Sequence, residues 1–181
     1  MKDRPIYMTT DEVNAILDGC KTQVRRIAKP EVENRWSLVD TLDGASVFNE
    51  SNAYGIPGDR LWVRETWCYV GEVPGPEIIY KATTPDFRGW CSPAVMPRWA
   101  SRITLEILST RVERLKQITD SDCYAEGIES DISDVMGEPR IKFARLWDTL
   151  NAERGYPSWE DNPYVWVIEF KVVQGEPEAA K

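Results

Sequence analysis

The stretch RLWVRETWCYV, residues 60–70, has the most regular alternation of side chains in the sequence. Leu61, Val63, Glu65 and Trp67 fall on one side of an extended chain, and the intervening residues fall on the other side. The turn-forming segment YGIPGD leads into it. The pattern therefore predicts a long β-strand with one buried face, around which the rest of the sheet is built.

Further strands and helices can be placed on either side of this strand. Short runs rich in β-branched and aromatic residues predict strands, and apolar residues at helical spacing predict helices. The predicted strands are EIIYKAT (77–83), RITLEILSTRVERL (102–115) and NPYVWVIEFKVV (162–173), with a hairpin in WSLVDTLDGASVF (36–48) that turns at Asp43-Gly44. The predicted helices run from Thr9 or Thr10 to Leu17 with Val13, Ile16 and Leu17 facing the core, from Asp120 or Ser121 to Glu126, and over 141–155.

The number and order of these elements predict a fold class. Strands outnumber helices and are not separated by regular crossover helices, which favours an α+β fold over a doubly wound sheet. We expect a small mixed or antiparallel β-barrel with flanking helices. It would form a single domain over residues 1–173, with loop insertions at about 30–58 and 128–139 and a flexible tail at 174–181.

Composition excludes several kinds of chemistry. The 181-residue chain has a net charge of −8, four Cys without a CxxC pair, and no His. Without His, neither a Ser-His-Asp triad nor a His-ligated metal can form within the chain. We therefore expect no metal and no cofactor. No apolar run reaches the length of a membrane span, and no secretory leader is recognisable, so a cytoplasmic location is expected.

The segment GCKTQVRR, residues 19–26, concentrates positive charge in an acidic protein. Lys21, Arg25 and Arg26 lie within six residues, directly after the apparent helix stop at Gly19. Cations at this point can simply favour the carboxyl end of a helix or form a solvated cluster. They can also form a site for a phosphate, a nucleobase or a reacting carbonyl.

Three other features have both a structural and a functional interpretation. Glu65 lies on the apolar face of its strand, where a carboxylate needs either a structural salt bridge or a place in a cleft opposite Lys21. Arg98 and Trp99, in the segment MPRWASR, suit phosphate contact and base stacking, although Trp99 can also plug the end of a barrel. Residues 117–139 contain seven acids and no base, which predicts a surface loop or a protein-binding segment.

The segments ILDGCKTQVRR, PGDRLWVRETW, MPRWASRITLEI, RVERLKQITDSDCYAEGI and NPYVWVIEF together resemble the ASCH-domain family, in particular the group carried by phages and prophages of enteric bacteria. The family signature is G-x-K-x-x-T/E-x-R, and Gly19, Lys21 and Arg26 match it. The resemblance implies a PUA-like barrel with a cleft lined by the signature. It also implies RNA, single-stranded nucleic acid or modified-nucleoside binding by Gly19, Arg25, Arg26, Arg98 and Trp99, inside a bacterial host cell.

The resemblance also implies a possible catalytic activity. Some small members are amidohydrolases acting on acylated cytidine, and others are nucleases. In the hydrolases a Lys and a Thr of the signature work with a strand Glu, which implies roles for Lys21 and Glu65. Val24 occupies the Thr/Glu position and has no hydroxyl, so Thr22 is the nearest replacement. The hypotheses are therefore ligand binding, amide hydrolysis, or a phage accessory protein that binds another protein through residues 117–139.

Overall fold

A computed structural model describes residues 1–28, 54–70, 77–129 and 138–173. The predicted hairpin at 36–48, the tail at 174–181 and most of both loop insertions lie outside the described residues. The strands are β1 Asp3–Tyr7, β2 Gln23–Ile27, β3 Arg60–Arg64, β4 Trp67–Val70, β5 Glu77–Tyr80, β6 Thr104–Arg114 and β7 Tyr164–Val173. The helices are α1 Thr10–Leu17, α2 Asp120–Ala125 and α3 Glu138–Leu150.

The strands form two sheets. Five of them form a mixed sheet in the order β1-β3-β6-β7-β2, and β4 pairs with β5 in a separate two-stranded sheet. Only β1 and β3 pair in parallel, and the other neighbours are antiparallel. The predicted α+β class and mixed sheet are confirmed. The described strands leave β1 and β2 as open edges, however, so the predicted closed barrel is not formed by this part of the chain.

The long strand predicted over residues 60–70 is divided at Glu65 and Thr66. Its first half joins the large sheet as β3, and its second half joins the small sheet as β4. Leu61, Val63 and Trp67 are buried as the alternation predicts, but Trp62 on the other face is buried as well. The sequence pattern reports alternation but does not reveal a change of hydrogen-bonding partner, which tertiary packing decides.

The helix termini follow ordinary capping chemistry. Thr9 caps α1 through a reciprocal pair of hydrogen bonds with Glu12, which confirms the predicted start of this helix. The N-cap of α2 is Thr119 rather than Asp120 or Ser121. Helix α3 ends at Leu150, before the predicted stop at Gly155, and is followed by a short 3-10 turn.

The main hydrophobic core lies between α1 and the large sheet, and a second core lies between α3 and the opposite face of β7. Val13 and Ile16 of α1 are buried as predicted, but Leu17 is 48% exposed because it lies on the outer side of the helix. Phe143 and Trp147 attach α3 to the second core. None of the helices in the described segments combines the length and the apolar character that a membrane span requires.

Candidate ligand-binding site

A cavity of about 610 Å³ opens where β2, α1 and α3 meet. This volume lies within the usual range for small-molecule sites. One side of the cavity is charged and the other is largely apolar. The charged side consists of Lys21, Arg25, Arg26, Glu12 and Glu126, which we call the ion network. The opposite wall comes from α3 and its extension, and includes Phe143, Leu146, Trp147, Leu150, Asn151 and Arg154.

Lys21 is placed in the cavity by the turn that follows α1. Gly19 has a φ of +74°, a conformation that favours glycine, and lets the chain reverse. The backbone nitrogens of Cys20 and Lys21 then both donate to the carbonyl of Ala15, at 2.8 and 2.9 Å. The chain continues directly into β2, so the lysine side chain is held at the junction of a helix and a strand.

The Lys21 ammonium is almost fully enclosed by acceptors. Its side chain is 3% exposed, and Nζ donates to the backbone oxygen of Glu126 at 2.8 Å and to Glu126 Oε2 at 2.9 Å. Glu12 Oε1 lies 3.9 Å away. A buried ammonium needs such compensation, because an isolated charge in the interior is costly. Lys21 is therefore held in one position beside two carboxylates.

The two arginines extend the ion network on either side of Lys21. Arg25 Nη1 donates to Glu126 Oε1 at 3.0 Å, and Nη2 donates to Glu113 at 2.6 Å. The Nε of Arg25 is buried and has no hydrogen-bond partner among the described residues. Arg26 pairs with Glu12 at 3.2 Å and donates to the carbonyl of Tyr7 at 2.7 Å. Every cation of the network thus shares a carboxylate with a neighbour.

The carboxylate of Glu12 is held ionised by its surroundings. Burial would raise the pKa of Glu12, but the positive charges of Arg26 and Lys21 and a hydrogen bond from the backbone of Thr9 bring that pKa below its ordinary value. Glu12 therefore accepts hydrogen bonds at neutral pH and does not act as an acid. The same contact raises the pKa of Arg26 despite its burial, because Glu12 stabilises the guanidinium cation.

Glu65 does not belong to this cavity. It accepts two hydrogen bonds from the guanidinium of Arg102, both at 2.9 Å, and Arg102 lies over the Tyr80 ring at 4.1 Å. Glu65 therefore forms a structural salt bridge, and its predicted place in a cleft opposite Lys21 is wrong. Glu65 is the first of the two residues between β3 and β4, and its bidentate pair attaches this junction to the segment preceding β6.

The two residues considered for a catalytic hydroxyl also lie outside the cavity lining. Thr22 is exposed, and its backbone N–H donates to Ala125. Val24 is 0% exposed and belongs to the main hydrophobic core. Its side chain points to the opposite face of β2 from those of Gln23 and Arg25. The hydroxyl-bearing residues that line the cavity in the described part of the chain are Tyr7, Thr9, Thr10, Thr66 and Ser92.

Arg98 and Trp99 are not brought to the cavity either. Arg98 is paired with Asp3 at 3.5 Å and lies over the Trp62 ring at 5.8 Å. Trp99 is 46% exposed and makes ring contacts with Trp67 and Tyr69. Both side chains are therefore surface groups of the sheet and the adjoining loop.

Sequence reasoning missed Glu12, Glu126 and the apolar wall. Glu12 was visible only as an acid in the first turn of α1, and Glu126 was counted within the acidic segment 117–139. Glu126 follows α2 and forms an isolated β-bridge with Lys21, which brings two residues 105 positions apart into contact. No local pattern in the sequence encodes this contact.

Comparison with known proteins identifies weak structural similarities only. No family model and no curated protein matches the chain. An ASCH domain from Lactobacillus crispatus JV V101 aligns over 96% of this chain and 81% of its own length, with 15% identity and a TM-score of 0.43. A DUF984 protein from Enterococcus faecalis V583 aligns over 100% of this chain and 86% of its own, with 10% identity and a TM-score of 0.47. Values this low assign neither a family nor a function, so the family suggested by the sequence motifs remains a prediction.

Proposed function

We propose that this protein binds a nucleoside, either free or within RNA, in the cavity beside β2. The observation that carries the proposal is the pairing of a charged side with an aromatic and aliphatic wall. A nucleobase has the matching chemistry, with flat apolar faces and an edge that carries both donors and acceptors. The sequence motifs around Lys21, which resemble those of ASCH domains, point to the same ligand class.

The balance of charge in the cavity favours a base over a bare phosphate. Lys21, Arg25 and Arg26 are paired with Glu12 and Glu126 at distances between 2.9 and 3.2 Å. These carboxylates neutralise much of the positive charge that the sequence places in residues 19–26. They also carry acceptors for the amino group of a base, and Arg26, the least buried cation of the network, can donate to its carbonyl.

The binding test compares Lys21→Met with Lys81→Met as the matched control, because Lys81 is an exposed lysine outside the cavity. Isothermal titration calorimetry with cytidine and N4-acetylcytidine is expected to show binding that Lys21→Met weakens at least tenfold. Lys81→Met should bind as the natural chain does. Equal binding by the natural chain and a folded Lys21→Met variant would contradict the proposal.

Amide hydrolysis is a second candidate, and the contact between Lys21 and Glu126 favours it. A lysine and a carboxylate 2.9 Å apart at a cavity surface can exchange a proton with a bound substrate. In this version Glu126 takes the role that the sequence suggested for Glu65. Release of acetate from N4-acetylcytidine by the natural chain, abolished in Lys21→Met, is the expected result. If N4-acetylcytidine binds but no acetate is released, hydrolysis is refuted and ligand binding alone is retained.

The protein-binding hypothesis has less structural support. Two acids of the segment 117–139 are engaged internally, because Asp122 and Glu126 pair with Arg25 at 3.4 and 3.0 Å. Residues 130–137, which include Asp131 and Asp134, lie outside the described part of the chain. The acidic segment therefore contributes to the ion network rather than presenting all of its charge to a partner.

A further inference from the structure

A second surface adjoins the cavity on the side of the large sheet that faces away from the main core. In β1, Asp3, Pro5 and Tyr7 are exposed, and they lie opposite Arg60, Trp62 and Arg64 of β3. The residues between them, such as Ile6, Leu61 and Val63, point to the core. We call this surface, made by Tyr7, Arg60, Trp62, Arg64 and Arg98, the Arg–aromatic face.

Arginines and rings are stacked along the Arg–aromatic face. The guanidinium of Arg64 lies 4.6 Å from the centre of the Trp62 ring and 5.5 Å from that of Tyr7. Arg98 lies 5.8 Å from the same Trp62 ring. Arg64 also donates to the Tyr7 hydroxyl at 2.9 Å. These contacts hold the guanidinium groups in fixed positions, which reduces the entropy lost when they bind an anion.

The Arg–aromatic face also carries positive charge that no ion pair among the described residues neutralises at Arg60 or Arg64. Neither Arg60 nor Arg64 is ion-paired with another described residue, and the Nε of each is buried without a hydrogen-bond partner in the described part of the chain. Arg98 is only loosely paired with Asp3, at 3.5 Å. Arg60 and Arg64 thus lack an ion-pair partner in the described part of a chain whose net charge is −8, which favours a site for an anionic ligand.

The Arg–aromatic face is continuous with the cavity. Tyr7 is 51% exposed, contacts Arg64 and also lines the cavity. Ala94, another cavity residue, accepts a hydrogen bond from Arg64 at 3.3 Å. A ligand that fills the cavity and leaves it past Tyr7 therefore meets Arg64 first and then Arg98, whereas Trp62 is buried beneath these two guanidinium groups.

We propose that the Arg–aromatic face binds the sugar–phosphate backbone and the flanking bases of a single-stranded polynucleotide whose target nucleoside lies in the cavity. Fixed guanidinium groups pair with successive phosphates, and the exposed Tyr7 ring stacks on the base next to the target. The inference rests on the proposed function and deepens it, because it makes the ligand part of a strand rather than a free nucleoside. RNA and single-stranded DNA share the backbone charge, and the 2′-hydroxyl distinguishes them.

The test compares cytidine with a fluorescent hexanucleotide of cytidine, as RNA and as DNA, by calorimetry and anisotropy. The natural chain should bind the RNA hexanucleotide at least tenfold more tightly than cytidine. The double variant Arg60→Gln/Arg98→Gln should lose about tenfold in hexanucleotide affinity but retain cytidine affinity. For this variant, the slope of the logarithm of the binding constant against the logarithm of salt concentration should decrease in magnitude by about 0.7 for each phosphate contact that is removed. If the DNA hexanucleotide binds more tightly than the RNA hexanucleotide, the ligand of this face is single-stranded DNA.

The control is Lys81→Gln/Arg88→Gln, which removes the same charge at two exposed positions that line neither the cavity nor the Arg–aromatic face. Hexanucleotide affinity that falls equally in both double variants would overturn the inference, as would a hexanucleotide bound no more tightly than cytidine. If a hexaglutamate peptide binds as tightly as the RNA hexanucleotide, the inference is overturned, and an acidic protein becomes the expected ligand of the face. Hexanucleotide binding that depends on Arg60 and Arg98 but not on Lys21 would keep the face and refute the cavity as the nucleoside site.

Discussion

At the scale of single residues, Val24 shows that a place within a sequence motif does not by itself put a side chain in the cavity. Val24 departs from the signature of the ASCH domains that the sequence resembles, because it has no hydroxyl where the hydrolases of that family use a threonine. The structure places Val24 in the main hydrophobic core at 0% exposure, outside the cavity lining. A hydroxyl at this position would meet apolar side chains and no substrate.

The substitution Val24→Thr is thus expected to destabilise the protein without raising hydrolysis of N4-acetylcytidine. An unpaired hydroxyl in a protein interior costs about 1–3 kcal/mol. Urea denaturation should show a decrease of this order in the free energy of unfolding. The matched control is Val172→Thr, since Val172 is 47% exposed in β7 and its hydroxyl would reach water. A stable Val24→Thr variant with new hydrolytic activity would refute the placement of this side chain.

At the scale of secondary structure, α2 depends on a cap that also contributes to the ion pairs of Arg25. The Thr119 backbone and hydroxyl donate to Asp122 at 3.0 and 2.8 Å, and Arg25 lies 3.4 Å from its carboxylate. Burial would raise the pKa of Asp122, but the bonds from Thr119 and Gln23 and the charge of Arg25 bring it to about 2. The ionised carboxylate of Asp122 is therefore more stable in the folded protein than in the unfolded chain.

Stability linked to Asp122 is expected to be lost in acid. Because its folded pKa of about 2 lies below the ordinary value of about 3.9, the contribution is complete above about pH 4 and disappears as the pH falls through 2. Asp122→Asn should reduce the loss of stability between pH 4 and pH 2, measured by urea denaturation at each pH. Asp120→Asn is the control, because Asp120 is an exposed acid of the same helix. Identical acid profiles for Asp122→Asn and the natural chain would rule out this role.

At the scale of the whole molecule, the ion network joins elements that are distant in the chain. Glu126, after α2, contacts Lys21 at the end of the α1 turn and Arg25 in β2, and Arg25 in turn contacts Glu113 in β6. Glu126 thus contacts Lys21 and Arg25, the two most buried cations of the ion network, at 2.9 and 3.0 Å. Its removal leaves both cations without their common partner.

Glu126→Gln is accordingly expected to lower the free energy of unfolding by about 3 kcal/mol, as is typical when one member of a buried ion pair is removed. Lys21→Met should lower the free energy of unfolding by less. In this variant both carboxylates keep a cation partner, because Glu126 still pairs with Arg25 at 3.0 Å and Glu12 still pairs with Arg26 at 3.2 Å. Chemical denaturation of the two variants gives the comparison. A larger cost for Lys21→Met than for Glu126→Gln would show that the lysine, and not the glutamate, organises the network.

Local chemistry in the sequence determined most of the elements and part of the site. The capping residue and the spacing of Val13 and Ile16 determine α1, the alternation of apolar residues determines β6, and a continuous β-branched and aromatic run determines β7. Lys21, Arg25 and Arg26 were recognisable as a cluster because they are close in the chain, and a short segment keeps its side chains within reach of one another.

Only the tertiary structure decided which groups face those cations. Glu65 and Glu126 are both acids far from Lys21 in the chain, and their local patterns do not distinguish a cavity residue from the partner of Arg102. The division of residues 60–70 between two sheets sends Glu65 away from Lys21, and the bridge after α2 brings Glu126 to it. Such choices depend on how sheets and helices pack over long sequence separations, where the energy comes from burial and paired charge rather than from local preference.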